Sequence, residues 1–354
     1  MSDNLQPTSA AELVETIRST PRVIAVGAGT KPRLSMVGNA FIRVSTSRLR
    51  GIVEYEPSEF TFTALAGTPL REIVAALAER GQYLPFDPMF AEAGATLGGT
   101  VAAGLSGPGR FRFGGLRDFI LGVQFVDGGG RLLRLGGKVV KNAAGFDLPK
   151  FFVGSAGRFG VLTELTFKVF PKPATTRTLR IDATGDALKA AVLSDAGKAR
   201  WEIDALEFPT EGNDIFIRLA GPGAALDAIA AELLTRWPGQ TLNAEDAAHL
   251  WRNVGEFGWA TVGGTLIKVV LAPSEVAAFI AYVRGTPGAR GWVSSGGNVG
   301  YLSLAGGNAL PALGWSAVTL RGEIPLWPGA KPRFEIMGAI KQALDPQNRF
   351  PPLD

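Results

Sequence analysis

Gly94-Ala95-Thr96-Leu97-Gly98-Gly99 is followed along the chain by Lys141-Asn142-Ala143-Ala144-Gly145-Phe146-Asp147-Leu148 and by Gly154-Ser155-Ala156-Gly157-Arg158-Phe159-Gly160-Val161-Leu162-Thr163-Glu164. Glycine lets backbone N–H groups approach a phosphate with no side chain in the way. Three glycine-rich turns in order suit a ligand with several parts to cradle. A further turn, Gly27-Ala28-Gly29-Thr30, stands near the start. A lone glycine turn after a strand often serves only geometry; an ordered set points to a ligand.

Outward from these turns, the surrounding elements follow from local signals. Ser9-Ala10-Ala11-Glu12 has the form of a capping box, in which serine and glutamate each satisfy an orphan N–H, and Leu13, Val14 and Ile17 continue an apolar face. After Pro21, Arg22–Val26 reads as a buried strand running into Gly27-Ala28-Gly29-Thr30-Lys31. Phe41–Val44, Gly51–Tyr55 and Thr61–Leu65 read as strands. Pro69 opens a helix through Leu70, Ile73, Val74 and Leu77 that Gly81 closes. Asp127-Gly128-Gly129-Gly130 between Phe119–Val126 and Arg131–Leu135 predicts a hairpin. The order of elements is α+β rather than an alternating βαβ train, and no Gly-x-Gly-x-x-Gly follows a first strand, which removes the usual support for a nicotinamide fold.

The strand Val161–Phe170 ends at Pro171-Lys172-Pro173, a natural boundary in a 354-residue chain long enough for two cores. Beyond it, helices over Ala224–Leu234 and Ser274–Val283 alternate with strands Ile215–Leu219 and Leu266–Val270. The expected arrangement is a sheet with helices on one face, then a terminal helix Phe334–Leu344.

Composition narrows the chemistry. Cysteine is absent, which excludes disulfides, thiolate nucleophiles and ordinary iron–sulfur ligation. The single histidine, His249, supplies no histidine metal site and reads as a half-exposed structural residue on a helix. The uncharged stretch Gly291–Leu320 carries seven glycines with Asn298, Asn308 and Pro311, so it is not a bilayer span. Its Trp292, Tyr301, Leu302, Leu304 and Trp315 make it a candidate docking face or a domain core. The N-terminus has no basic and apolar leader, which makes the cytoplasm the expected location. Net charge is +4, but Val101–Thr175 holds eleven basic residues against four acidic ones. Those basic residues do not interleave with stacking aromatics, so an anionic cofactor, acidic substrate or acidic partner fits better than nucleic acid.

The ordered turns closely resemble the FAD-binding domain of the vanillyl-alcohol-oxidase (p-cresol methylhydroxylase-type) superfamily, over residues 1 to about 175. The resemblance implies an FAD pyrophosphate wrapped by Gly27, Ala28, Gly29, Thr30, Lys31, Thr96, Gly98 and Gly99. It implies that the loop containing Gly104, Ser106 and Gly107 approaches the flavin. The family pattern Arg-aromatic-Gly-x-x-x-Asp stands here as Arg112, Gly114 and Asp118, and Phe159, Gly160 and Val161 fall at the adenine end. The implied layout is a two-part FAD-binding domain (1–175), a smaller α+β second domain of cap or substrate type (176–335) and a C-terminal helix and tail (336–354).

That layout is similar to the smaller flavin subunits of bacterial glycolate oxidase complexes. The similarity implies a larger flavin subunit and an iron–sulfur subunit as partners, a small 2-hydroxy acid as substrate of the complex, and attachment to the inner face of the membrane, if any, through partners. The alternatives are a self-sufficient flavoenzyme for another alcohol or hydroxy acid, and a flavin-free scaffold. Two departures from the family matter. The tail Asn348-Arg349-Phe350-Pro351-Pro352-Leu353 replaces the family's Phe-Asn-Pro-Gly, and the histidine metal motif of catalytic 2-hydroxy-acid dehydrogenases is missing. Arg252, Lys268, Tyr301 and Arg321 are carboxylate-binding candidates that spacing does not rank, so no catalytic residue is assigned and no metal is expected. Covalent flavin links in the superfamily use histidine or cysteine, so the FAD is expected to be noncovalent.

Overall fold

Ser9 caps the first helix, α1 (Ala10–Ser19), by accepting from the Glu12 N–H at 3.1 Å. The return half of the expected capping box is shifted by one residue. Glu12 accepts from the backbone N–H of Thr8 at 2.7 Å and from its hydroxyl at 2.8 Å, which holds the Glu12 carboxyl below the usual range. This computed structural model describes residues 4–137, 148–198, 200–306, 310–330 and 334–353. The glycine turn at Lys141–Asp147 therefore lies outside the described residues, as do Lys138, Gly307 and Asn308. No helix among the described residues is long and apolar enough to cross a membrane.

The chain divides into two compact units, one of Met1–Leu105, Gly115–Pro171 and Lys331–Asp354, the other of Ser106–Gly114 and Lys172–Ala330. In the first unit, β1 (Val23–Val26) pairs in parallel with β2 (Ile42–Ser45), which pairs in parallel with Asn4–Leu5. A second, antiparallel sheet contains β3 (Ile52–Glu56) and β4 (Thr61–Leu65). After α2 (Leu70–Ala78) and α3 (Leu97–Ala103), β5 (Ile120–Val126), β6 (Leu132–Gly136) and β7 (Val161–Lys168) complete it in the order β3-β4-β7-β5-β6. The predicted hairpin forms between β5 and β6. Its turn is held by the buried Asp127 carboxylate, which accepts from the Gly129 and Arg131 N–H groups at 2.9 Å each and from the Arg131 guanidinium. Leu13 and Ile17 of α1 pack with Val23, Val44, Val126, Val161 and Phe350, so the tail contributes to this core.

The second unit is built on one eight-stranded antiparallel sheet. Its elements are β8 (Thr175–Asp182), α4 (Asp186–Lys198), β9 (Ala205–Pro209), β10 (Asp214–Gly221), α5 (Gly223–Arg236), β11 (Gly239–Thr241), α6 (Ala244–Gly255), β12 (Thr265–Val270), α7 (Val276–Gly285), β13 (Ala289–Ser294), β14 (Val299–Leu304) and β15 (Ala317–Arg321). The strand order is β11-β8-β10-β9-β13-β14-β12-β15. Period-two alternation sends Leu179, Ile217, Leu206, Phe208, Val293, Leu302 and Val269 to the face covered by α4, α5 and α7.

Two expectations change here. Helices are not confined to one face, because α6 lies against the other: Trp251 donates its indole N–H to the Thr178 hydroxyl at 2.9 Å and Arg218 stacks on its ring. And α4 forms although its apolar periodicity is weak. Its buried Lys189 runs its stem through the core and donates to the Gly212 carbonyl at 2.6 Å.

On the face opposite the main core, registered pairing sets Trp292, Tyr301 and Lys268 side by side on adjacent strands. Trp292 stacks between Phe216 and Trp259, and Phe257 meets Tyr301 edge-on. Trp292, Tyr301, Leu302 and Leu304 are buried in interior strands, so the candidate docking stretch is largely domain core instead. Strand pairing covers both edges of β13 and β14, which an apolar, uncharged sequence does not reveal.

Glu207 is fully buried beneath this row. It accepts from the Trp292 indole at 2.7 Å, the Ser294 hydroxyl at 2.7 Å and the Ser295 N–H at 2.8 Å. Burial outweighs those three donors and pushes its carboxyl up to about 7. The folded chain thus binds this proton more tightly than the unfolded one, so its contribution to stability is full below pH ~4.5, fades up to about pH 7 and is flat above. The shift is worth about 3 kcal/mol. Glu207→Gln should remove that decline, so that urea unfolding at pH 5 and pH 7.5 shows a smaller pH dependence than the wild type. An unchanged dependence would show that Glu207 is ionised throughout.

Candidate functional site

A cleft of about 700 Å³, open to solvent, lies in the first unit. β1 delivers Gly27–Lys31 to one wall, α3 and its N-terminal turn form the floor with Thr96, Gly98, Gly99 and Ala102, and Ser155–Gly157 with Gly160 form the other wall. Leu34, Ser35, Thr46, Ala66 and Leu162 complete the lining.

The first wall is a run of backbone donors. Among the described residues, none of the N–H groups of Gly27, Ala28, Gly29 and Thr30 has a hydrogen-bond partner. Gly29 sits at φ +73°, the left-handed conformation that lets successive N–H groups converge, and a Cβ there would meet open space. Lys31, only 6% exposed, closes the turn, with its ammonium 2.9 Å from the Thr30 hydroxyl and 5.5 Å from the Phe90 ring centre. Unpaired main-chain donors beside a buried cation are the donor set that an anion with several oxygens requires.

The floor works differently from the sequence expectation. The Gly98 N–H is taken by the Ala66 carbonyl at 2.7 Å, and the Gly99 N–H by the hydroxyl of Thr96, which caps α3, at 3.2 Å. These glycines supply room rather than donors. A Cβ on Gly98 would lie 2.8 Å from the Ala66 Cβ, and one on Gly27 would lie 2.5 Å from the Thr96 hydroxyl oxygen. At the second wall, Gly104 ends α3 at φ +59°, against Gly154. The N–H groups of Gly154 and Ala156 bond back to the Val101 and Ala102 carbonyls.

Of the residues expected to contact the ligand, Gly27, Ala28, Gly29, Thr30, Lys31, Thr96, Gly98, Gly99 and Gly160 line this cleft. Gly104, Asp118, Phe159 and Val161 belong to the same unit and do not. Asp118 accepts from the Gly115 N–H at 2.8 Å, Phe159 packs on Phe151, and Val161 is buried at the start of β7. Ser106, Gly107, Arg112 and Gly114 lie in the second unit. There the Ser106 carbonyl accepts from Tyr301, and Arg112 pairs with Glu202 at 2.6 Å and donates to the Ala220 carbonyl. Sequence reasoning did not assign Ala25, Leu34, Ser35, Thr46 or Ser155–Gly157. Only the last carried a signal, in Gly157; Ala25 and Thr46 reach the cleft through strand pairing, and Leu34 and Ser35 on the short 3-10 helix Pro32–Ser35.

The carboxylate candidates of the second unit also separate. Arg321 is engaged by the Gly264 and Thr261 carbonyls at 2.6 and 2.9 Å, and His249 is exposed on α6. Tyr301 and Lys268 are cross-strand neighbours. Burial, with Arg110 nearby, pulls the Lys268 ammonium down to about 8, and burial raises the Tyr301 phenol.

A family model described as FAD binding domain matches residues 4–136. Glycolate oxidase subunit GlcE of Escherichia coli (strain K12) is 36% identical over 316 residues, covering 86% of this chain and 84% of that protein. Glycolate oxidase subunit GlcD of Bacillus subtilis (strain 168) is 34% identical over 128 residues, 36% of this chain and 27% of that one. A D-2-hydroxyglutarate dehydrogenase of Xanthomonas citri pv. viticola is 28% identical over 211 residues, 58% and 44% of the two chains. In fold, the chain is similar to a solved alkyldihydroxyacetonephosphate synthase, with a TM-score of 0.70 at 16% identity over 99% of this chain and 76% of that one.

The floor geometry makes a stability prediction. Thr96→Ala removes one helix cap and should cost about 1 kcal/mol. Gly98→Val forces a branched side chain against Ala66 and should cost about 2 kcal/mol or more. Urea unfolding midpoints should therefore fall in that order, and a Gly98→Val midpoint equal to the wild type's would contradict the close approach of α3.

Proposed function

This chain belongs to the family of glycolate oxidase subunit GlcE and carries an FAD-binding domain, and from that premise we propose that it is the FAD-holding subunit of a glycolate oxidase complex, with the cofactor seated in the cleft of the first unit. The reading assigns it to the oxidoreductases acting on CH–OH donors, oxidising glycolate to glyoxylate with partner subunits. The observation that carries it is the run of unpartnered N–H groups at residues 27–30 beside buried Lys31.

In this reading the N–H groups of Gly27, Ala28, Gly29 and Thr30 hold pyrophosphate oxygens, and Lys31 offsets their charge. Gly98 and Gly99 keep the floor low enough for the diphosphate to lie against main chain. Ser155–Gly157 and Gly160 bound the far side, where the same logic of small side chains applies. Bound FAD supplies a two-electron acceptor for the hydride of an alcohol carbon. The chain's own residues bind and orient the cofactor. The chain has no cysteine, and its one histidine, His249, is exposed on α6 and does not line the cleft, which supports noncovalent binding.

The subunit designations of the GlcE and GlcD relatives support a multi-subunit assembly. Within it we assign the larger flavin subunit and an iron–sulfur subunit as partners, and the cytoplasm as location, with membrane attachment only through those partners. The missing cysteines support placing any one-electron relay on another chain. The missing histidine motif supports placing hydroxyl deprotonation there too.

Three measurements test the proposal. The purified chain should be yellow, and acid precipitation should release the flavin into the supernatant and leave a colourless pellet. Lys31→Met should weaken FAD binding by about tenfold or more, the size of one charge-assisted contact, with the fold intact by circular dichroism. The isolated chain should turn over glycolate with an artificial acceptor far more slowly than the assembled complex. A colourless wild type promotes the scaffold reading, and comparable single-chain turnover promotes the self-sufficient flavoenzyme.

A further inference from the structure

We propose that Lys341 is a positioning residue for the cofactor cleft, through which the C-terminal segment sets the cleft's second wall. The inference rests on the assignment of that cleft to FAD. Lys341 lies on α8 (Phe334–Leu344), the helix that brings the tail back to the first unit. Its side chain is 9% exposed, and its ammonium has three acceptors: the Arg158 carbonyl at 2.8 Å, the Asp345 carboxylate at 2.6 Å and the Phe350 carbonyl at 3.0 Å. All three of its N–H bonds are therefore committed.

The contact with Arg158 leads to the cleft. Arg158 is buried, and one guanidinium nitrogen donates to the Leu34 carbonyl at 2.7 Å and to the Ala156 carbonyl. Leu34 and Ala156 both line the cleft, and the one Arg158 nitrogen holds their carbonyls together. Ala156 stands at φ +49° and Gly157 at φ +72°, two left-handed residues in succession, the first a conformation that alanine rarely adopts. A turn of that kind persists only where surrounding contacts over-determine it. Arg158 grips the turn from within by its guanidinium, and Lys341 grips Arg158 from behind by its main chain.

The tail is itself fixed to the strand that delivers the other wall. Asp345 accepts from the Arg349 N–H at 2.8 Å and the Phe350 N–H at 2.9 Å, and the Leu344 carbonyl accepts from Gly128. The Val23 N–H, at the start of β1, donates to the Arg349 carbonyl at 2.8 Å, and the Arg349 guanidinium donates to the Thr20 carbonyl at 2.6 Å. One short segment thus touches the root of the Gly27–Lys31 turn and the back of the Ser155–Gly157 turn. Stability alone gives little reason for a buried ion pair here, since well-packed apolar residues often serve as well. Here the pair ties the Arg158 carbonyl to the tail, which a contact between apolar side chains would not do.

The test compares FAD affinity with stability in the full-length chain stripped of flavin. FAD dissociation constants come from quenching of flavin fluorescence, scaled to the folded fraction by circular dichroism. K341M should raise the dissociation constant by about tenfold, and K341R, which keeps donors for the Arg158 carbonyl, should recover most of it. L13A loosens the core on which Phe350 packs without touching these hydrogen bonds. It should lower the melting temperature at least as much and leave the dissociation constant within about twofold. R158K, which keeps the charge but loses the forked donor, is read like K341M and serves if K341M does not fold. Unchanged FAD affinity in K341M or R158K, or an equal loss in L13A, overturns the positioning role. A wild-type chain that binds no FAD overturns the cofactor assignment itself and the inference with it, and is told apart by the wild-type arm alone.

Discussion

The contact on which the first unit depends is the approach of the Gly27 turn to Thr96. A Cβ on Gly27 would sit 2.5 Å from the Thr96 hydroxyl oxygen, the same oxygen that accepts from Gly99 and starts α3. One hydroxyl therefore sets how closely the end of β1 can approach the helix, and it tolerates only glycine opposite. Gly98 makes the matching contact beneath, where α3 rests on Ala66 with its N–H on the Ala66 carbonyl. The cleft is the space above these two contacts. Its donors are left over because β1 ends at Val26, and the next four N–H groups enter no ladder.

The second unit answers a different constraint. Three helices seal one face of its sheet, while α6 and the Phe257–Trp259 segment cover part of the other. On that second face the protein buries Glu207 and Tyr301 beside Lys268, a polar row in a sheet that could have been apolar. Glu207 is satisfied by three donors, so it organises Trp292 and the Ser294–Ser295 turn rather than leaving an orphaned charge. Phe111 packs where a Cβ on Gly296 would stand, which joins the residues around Ser106–Gly114 to this turn.

The tail shows how a departure from a family pattern can leave the mechanical role in place. Pro351 and Leu353 stand where the family has asparagine and glycine, yet the hydrogen bonds that fix the segment come from Lys341, Asp345 and Arg349 and from main-chain carbonyls. Phe350 supplies the apolar anchor at 1% exposure. The altered positions are both buried but are not the ones that carry the fixing hydrogen bonds.

Local rules were legible in the sequence: the cap at Ser9, the proline before α2, the hairpin at Asp127, the left-handed glycines at 29 and 81, and the ordered turns that mark the FAD-binding domain. Each is decided within a few residues, because capping, φ restriction and period-two alternation are near-neighbour effects. The nine expected residues that line the cleft came from the resemblance those ordered turns carry rather than from local rules. What only the tertiary structure decided is which donors stay free and which side chains are buried. The Gly98 and Gly99 N–H groups proved engaged, Gly291–Leu320 became largely sheet core, Glu207 came under Trp292, and Lys341 reached Arg158 across 183 residues. Burial and hydrogen-bond pairing are properties of segments brought together from far apart. A single chain read in order shows the donors and acceptors and leaves their partners to the fold.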